Sequence, residues 1–282
     1  MIDTLFLSVG AMKAGTTWLY EQLKDHPEIY FTPEKEIHYF ANVTGLENQL
    51  SHRNRIIKLL GIMNRYAQQN PSFIASRVAE IEWYSHYAKK EELDDAWYVK
   101  LFENSGRAIC ADFSNLYCQM QTSGWDRVRR VCRRVKVVYT LRNPIERIWS
   151  HYKFHLKWTG QENLVLANGF EEYRRTLEKP FFWNNVRYAT NIRRLRENLK
   201  ERELKILYFE DFRAEPERLV EEVQDFVDVN KIPPNPSILN LKINSTNEIE
   251  MPNEWFGWTA SLLHSEIADM KNEGIWHRNW KF

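Results

Sequence analysis

Leu5-Phe6-Leu7-Ser8-Val9-Gly10-Ala11-Met12-Lys13-Ala14-Gly15-Thr16-Thr17-Trp18 is the stretch that decides how the rest of the chain is read. Leu5 to Val9 is an apolar run short enough for a buried strand. Thr17 to Lys24 carries Trp18, Leu19 and Leu23 at helical spacing. Between them lies a loop of small residues. A strand, a small-residue loop and a helix start together offer free backbone N–H groups and the positive end of a helix dipole to an anion. Gly10 and Gly15 permit tight turns, Lys13 adds a full charge, and Thr16 and Thr17 add hydroxyl donors. Against the nucleotide-binding pattern G-x-x-x-x-G-K-[ST], Gly10, Gly15 and Thr17 fit, but Thr16 stands where the lysine belongs. Lys13 lies two residues before the second glycine instead. The loop reads as a phosphate cradle built differently from that of an ATPase; an ordinary strand-to-helix turn is the plain alternative for this stretch alone.

A second strand-to-helix junction carries the same kind of chemistry. Val135 to Leu141 is the clearest strand in the chain and runs directly into Arg142-Asn143-Pro144-Ile145-Glu146-Arg147-Ile148-Trp149-Ser150-His151-Tyr152. Asn143 suits a helix N-cap, Pro144 the first helical position, and Glu146 the closing position of a capping box. Ile145, Ile148, Trp149 and Tyr152 form the buried stripe. Arg142 then sits at the carboxyl end of the strand, where open α/β sheets bind ligands, and its planar fork suits phosphate. Ser150 follows about two turns into the helix.

Lys13-Ala14-Gly15-Thr16-Thr17-Trp18 resembles the 5′-phosphosulfate loop of sulfotransferases that use 3′-phosphoadenosine 5′-phosphosulfate (PAPS). The pattern from Arg142 to Tyr152 resembles their 3′-phosphate motif, in which the leading arginine and the serine hold that phosphate. Lys35-Glu36-Ile37-His38-Tyr39-Phe40 is similar to the K-E-x-H-[FY]-F segment of carbohydrate sulfotransferases, where the glutamate is the catalytic base. The resemblance runs from Leu5 to about Val229, with gaps across residues 46–104. It implies an α/β, P-loop-like three-layer fold, with a central parallel sheet of about five strands flanked by helices. It implies one sulfotransferase domain over residues 1–282, with a helical insert at about 46–104. Lys13 is expected to stabilise the leaving phosphate. Lys13, Ala14, Gly15, Thr16 and Thr17 should hold the 5′-phosphate, Arg142 and Ser150 the 3′-phosphate. Trp18 should stack on adenine, or serve as a core contact. Glu36 is the expected base, with His38 supporting or replacing it and Asp112 and His86 next in line. PAPS is the co-substrate and PAP the product, and no metal is expected.

Two departures from the family pattern stand out. Asn115 replaces a proline that often follows the segment at Asp112, and the C-terminus lacks the usual basic triplet. Lys242, Lys271 and Arg278 are the available substitutes. The acceptor is expected to be a small molecule or glycan presenting a hydroxyl or amine. The rival readings are a P-loop kinase of nucleosides or small molecules, which the missing lysine disfavours, and a non-catalytic nucleotide- or glycan-binding protein.

Bulk composition excludes other classes. Lys and Arg total 39 against 38 Asp and Glu in 282 residues, so nothing global attracts nucleic acid or membrane and any anion site must be local. Hydrophobic residues make up 43%, enough for a substantial core. Most of the eleven tryptophans are expected in that core. No run approaches the ~18 apolar residues of a membrane span, and the first residues read as a core strand rather than a secretory signal. Cys110, Cys118 and Cys132 suggest neither a metal cluster nor a disulfide framework, so a cytoplasmic setting is expected. Further elements expected are strands at Ile29–Phe31, Ala108–Ala111 and Lys205–Phe209, and helices at Phe170–Leu177, Val186–Leu199, Glu215–Val227 and Trp255–Lys271.

Overall fold

A computed structural model describes residues 1–47, 49–90, 92–103, 105–106, 109–239 and 249–281. Five strands form one parallel sheet: β1 (Ile2–Ser8), β2 (Ile29–Phe31), β3 (Ile109–Asp112), β4 (Cys132–Leu141) and β5 (Leu204–Tyr208). Their order across the sheet is β2-β3-β1-β4-β5. The register sets Leu7 against Asp112, Ser8 against Val138, and Leu141 against Tyr208. β1 therefore sits between strands reached by opposite crossovers, and the crevice at its carboxyl end is a topological switch point.

The strands are apolar on both faces because both faces are covered. Leu5, Leu7, Val137 and Tyr139 point to one core, which includes Val128, Val131, Ile192 and Leu195 from the helices Thr122–Val131 and Tyr188–Asn198. Phe6 and Val138 point to the other, with Leu19 and Leu23 from the helix Thr16–Leu23 and Val220 and Val223 from the helix Pro216–Val227. This alternation along a strand puts successive side chains on opposite faces. A third cluster wraps the helix Pro144–Trp158, with Trp149, Tyr152, Tyr173 and Trp255 packed ring on ring.

The stretch 46–104 is helical where it is described, with helices at His52–Tyr66, Pro71–Ala75, Val78–Tyr87 and Asp95–Lys100. Two expected helices are each interrupted. Val186–Leu199 breaks at Arg187, whose ψ of 64° is not helical, and the new helix start at Tyr188 is capped from afar: Ala189 N–H donates to Glu266 Oε1 at 2.8 Å. Trp255–Lys271 appears as Asn253–Leu262 and His264–Asn272, divided at the fully buried Leu263.

One polar group is set deep in the sheet. Asp112 ends β3 with no exposed surface and accepts from Ser114 Oγ (2.6 Å), Tyr117 Oη (2.8 Å) and Tyr98 Oη (3.0 Å). Burial raises its carboxyl, and the three hydroxyl donors act in the opposite sense. Ser114 Oγ in turn accepts from His38 N–H at 2.9 Å. Asp112→Ala would strand three buried hydroxyls without their acceptor, and is expected to lower stability by about 3 kcal/mol. Urea unfolding checks this; a midpoint within error of wild type would show that the network contributes nothing.

Candidate anion site and proton acceptor

The chain leaves β1 through Gly10 in a conformation with φ 128°, where a side chain is strained and where a Cβ would lie 2.6 Å from Asn115 O. Gly15 has φ 88°, and a Cβ there would meet the rings of Phe209 and Phe212 at 2.8 Å. These two glycines let the loop fold closely against the loops after β3 and β5. Gly15 also begins the helix Thr16–Leu23, in which no side chain caps the first turn, so its N-terminal N–H groups are not taken by a capping side chain.

Lys13 projects from this loop at φ 67°. Its Nζ lies 4.4 Å from the centre of the Phe154 ring. Burial, then the charges of Arg142, Lys157 and Lys153, push the Lys13 ammonium down to about 8. Arg142 arrives from the end of β4: Nη1 donates to Lys13 O at 3.4 Å, Nη2 to Glu146 Oε2 at 3.2 Å, and the guanidinium covers the Phe209 ring at 4.6 Å. Its Nε is buried without a partner among the described residues. The two phosphate-type loops of the sequence are thus brought together, and the Arg142 charge is felt by the Lys13 ammonium.

Asn143 caps the helix Pro144–Trp158, its Oδ1 accepting from Ile145 N–H (3.1 Å) and Glu146 N–H (3.3 Å). The expected capping box does not form. Glu146 turns to Arg142, and Glu210 Oε1, beyond the end of β5, accepts from Asn143 N–H at 3.0 Å in its place. Ser150 lies half-buried on the same helix. Ala14 is fully buried and Thr16 nearly so. Trp18 is 7% exposed and packs on Phe212 at 5.0 Å, so its ring is a core contact.

The segment after β2 supplies the candidate proton acceptor. Glu36 Oε2 accepts from His38 Nε2 at 3.1 Å, Oε1 from Lys35 Nζ at 3.2 Å, and Asn115 Nδ2 reaches both oxygens at 3.3 Å. Glu36 and His38 do face each other, although the segment is not a strand: His38 is left-handed, with φ 60°. Burial would raise the Glu36 carboxyl, but the His38 hydrogen bond and the Lys35 charge prevail and hold it at about 2. Lys35 Nζ also donates to Thr17 Oγ1 at 3.3 Å, which ties this carboxylate to the phosphate-type loop.

Lys35, Asn115 and Glu210 are the site residues that the sequence reading did not assign. The replaced proline at Asn115 was the available signal, because an amide there can hold a carboxylate where proline cannot. Asp112 is sealed in its hydroxyl network, and His86 Nε2 lies 3.3 Å from Trp97 O, within the helical stretch. Of the C-terminal cations, Lys242 falls outside the described residues. Lys271 covers the Trp276 ring at 4.7 Å, and Arg278 approaches Glu215 at 3.9 Å. Among the described residues, no group of side chains could hold a metal ion.

Known proteins share this fold. The chain is 24% identical over 157 residues to the membrane-associated sulfotransferase kil1 of Dictyostelium discoideum, a stretch that is 54% of this chain and 23% of that protein. It thus spans about a quarter of that curated relative's length. Among the described residues, no helix of this chain is long and apolar enough to cross a membrane. The fold matches a crystal structure of a sulfotransferase from Alicyclobacillus acidocaldarius with a TM-score of 0.63, 21% identity and 96% of each chain covered. It also matches the sulfotransferase domain from the curacin biosynthetic pathway with a TM-score of 0.51 and 16% identity, covering 98% of this chain and 92% of that one. The sequence profile of the sulfotransferase family matches residues 6–233, and the chain belongs to that family.

Proposed function

We propose that this protein moves the sulfuryl group of PAPS to a hydroxyl or amine acceptor by in-line displacement. The observation that carries the reading is the convergence of Lys13 and Arg142 from two phosphate-type loops, with Glu36 tied to the same loop through Lys35 and Thr17. In this reading the acceptor oxygen forms its bond to sulfur as the bond from sulfur to the 5′-phosphate oxygen breaks. Glu36 takes the acceptor proton, and Lys13 meets the negative charge that appears on the phosphate. Thr16, Thr17 and the N–H groups after Gly15 hold the 5′-phosphate, and Arg142 with Ser150 the 3′-phosphate. Catalysis is then mostly positioning and charge stabilisation, as in phosphoryl transfer. A single domain with a helical insert, a glycan or small-molecule acceptor and a cytoplasmic setting complete the proposal. The similarity of Lys35 to Phe40 to carbohydrate sulfotransferases favours a glycan, and three buried free thiols suit a reducing compartment.

PAP should bind much more tightly than AMP. A charge-assisted contact contributes roughly 1.5–3 kcal/mol, so Arg142→Ala should lose most of that preference. Equal affinity of the wild-type protein for PAP and AMP, measured by calorimetry, would remove the assignment and leave the binding-protein reading or the kinase reading. ATP with Mg²⁺ in the same titration separates those two.

The Lys13 ammonium sets a pH dependence. Free protein loses this proton as pH rises through about 8. A bound phosphate favours the charged form and raises the group again. The complex then holds more protons than the free protein above that pH, so PAP affinity should fall as pH rises beyond about 8. Calorimetry at that pH in buffers of different ionisation heat should show proton uptake, absent in Lys13→Ala. Pure proton release on binding would contradict the arrangement.

Glu36→Gln keeps the size of the side chain and removes the base. Turnover should fall ~10²–10⁴-fold with PAP affinity nearly unchanged, and His38→Ala should fall less. An active Glu36→Gln beside an inactive His38→Ala would transfer the role to His38.

A further inference from the structure

The helix His52–Tyr66 is apolar on two sides, one buried and one open to water. Ile62 and Tyr66 face inward, with the buried Arg55 on the same side. Ile57, Leu60 and Met63 face outward and are 55%, 51% and 50% exposed. Spaced by three residues, they form one slanting row along the helix, with the half-buried Ile56 beside it. Single exposed apolar side chains are ordinary on a protein surface. A contiguous row of them on one helix marks a contact face.

The charge around this row has one sign. Residues 51–79 contain no aspartate or glutamate, while Arg53, Arg55, Lys58, Arg65 and Arg77 fall among them. Arg55 is turned inward, where it donates to Leu50 O, Tyr87 O and Lys89 O. Lys58 reaches back to Glu34, and Arg77 stands 3.8 Å from Glu80. Arg53 and Arg65 are exposed, and among the described residues no carboxylate stands within ion-pair distance of either. They lie roughly 18 Å apart along the helix axis, one towards each end of the row.

A second copy of this chain would set Arg53 and Arg65 against their own equivalents, because a two-fold interface pairs a surface with itself. Protein partners are held best through aromatic anchors, among which leucine is under-represented, and Ile57, Leu60 and Met63 are all aliphatic. Aliphatic side chains set between free cations match the boundary layer of a bilayer, where acyl chains take the first and lipid phosphates the second. We propose that the outer face of the helix His52–Tyr66 docks in the plane of an anionic bilayer surface, with Ile57, Leu60 and Met63 in the acyl boundary and Arg53 and Arg65 on lipid phosphates. This goes beyond the sulfuryl-transfer reading and does not depend on it. Glu34, which Lys58 holds, also accepts from Tyr84 Oη at 2.8 Å, so the docked helix is joined to the segment that carries Glu36.

Co-sedimentation with vesicles tests the face, using phosphatidylcholine and phosphatidylglycerol in equal parts against phosphatidylcholine alone. At about 0.1 M NaCl the wild-type protein should bind the mixed vesicles about tenfold more tightly than the neutral ones, and lose most of that margin at about 0.5 M. The double variant Ile57→Gln, Leu60→Gln keeps every charge and should weaken binding about tenfold. Arg53→Gln, Arg65→Gln keeps the apolar row and should weaken it by about the same factor. Arg133→Gln, Arg202→Gln makes the same change of charge at exposed positions elsewhere and should leave binding nearly unchanged. All six positions are exposed, so the variants keep the fold. Binding to neither vesicle, an equal loss in all three variants, or binding that ignores Ile57→Gln, Leu60→Gln would overturn the docking face. So would a dimer that Ile57→Gln, Leu60→Gln dissolves, which gives the face to a second copy, or binding to polyglutamate in place of vesicles, which gives it to an acidic protein.

Discussion

The parallel pairing of β1 with β4 continues past the end of β1, and the site depends on that continuation. Ala11 N–H donates to Thr140 O and Thr140 N–H to Gly10 O, both at 2.8 Å, so the phosphate-type loop leaves the sheet in register with the end of β4. On the other side of β4, Phe209 N–H donates to Leu141 O at 2.8 Å. Three loops are fixed side by side by backbone bonds alone, before any side chain is considered. The glycines make the last approach possible: a Cβ at Gly10 would strike the loop after β3, and one at Gly15 the loop after β5. Sheet topology thus decides which residues meet, and residue identity decides what they do there.

What they do is accumulate positive charge that one carboxylate, Glu146 paired with Arg142, only partly offsets. Lys13 and Arg142 each rest on a ring, Phe154 and Phe209 respectively. A cation over an aromatic face gains about 0.5–2 kcal/mol, and burial and the neighbouring cations act against the Lys13 charge. Arg147, one turn below, has no exposed surface, and its Nε and Nη2 find no partner among the described residues. Burial, then the charge of Arg147, drive His151 well below the usual imidazole range, so at neutral pH it adds no further charge. Cations gathered here at a cost would be relieved by a bound anion, and stability forgone at a site is commonly linked to function.

The fold was legible because its signals are local. Each strand is a short apolar run, and Asn143-Pro144 announces a helix start within two residues. The pairing of Glu36 with His38 was also within reach, since residues two apart can share a side. The misses are contacts between distant segments. Glu210 caps Asn143 across 67 residues, and Glu266 caps Ala189 across 77, and no local pattern reports either. The second of these caps bears on a boundary: the helix breaks at Arg187, and Glu266 satisfies the N–H of Ala189 just after the break. The chain's own capping box at Glu146 looked complete, yet that carboxylate is drawn to Arg142. Trp18 could be read as either an adenine platform or a core ring, and only the position of Phe212 favours the second.

If Glu36 is the base, as proposed, its contacts link reactivity to occupancy of the loop. A carboxyl held at about 2 is ionised at neutral pH and so able to accept a proton, but it is a weak base, far from the range where general bases act best. Two neighbours hold it there, His38 and Lys35. Lys35 is shared, with Thr17 Oγ1 at 3.3 Å on one side and Glu36 Oε1 at 3.2 Å on the other. An anion seated at Thr17 competes with Glu36 for that ammonium. Weakening the Lys35 pair removes one of the influences that lower the carboxyl, and its basicity rises. On the proposed reading, the single lysine between loop and carboxylate would make the base strongest when the loop is filled, which is when an acceptor proton has to be removed.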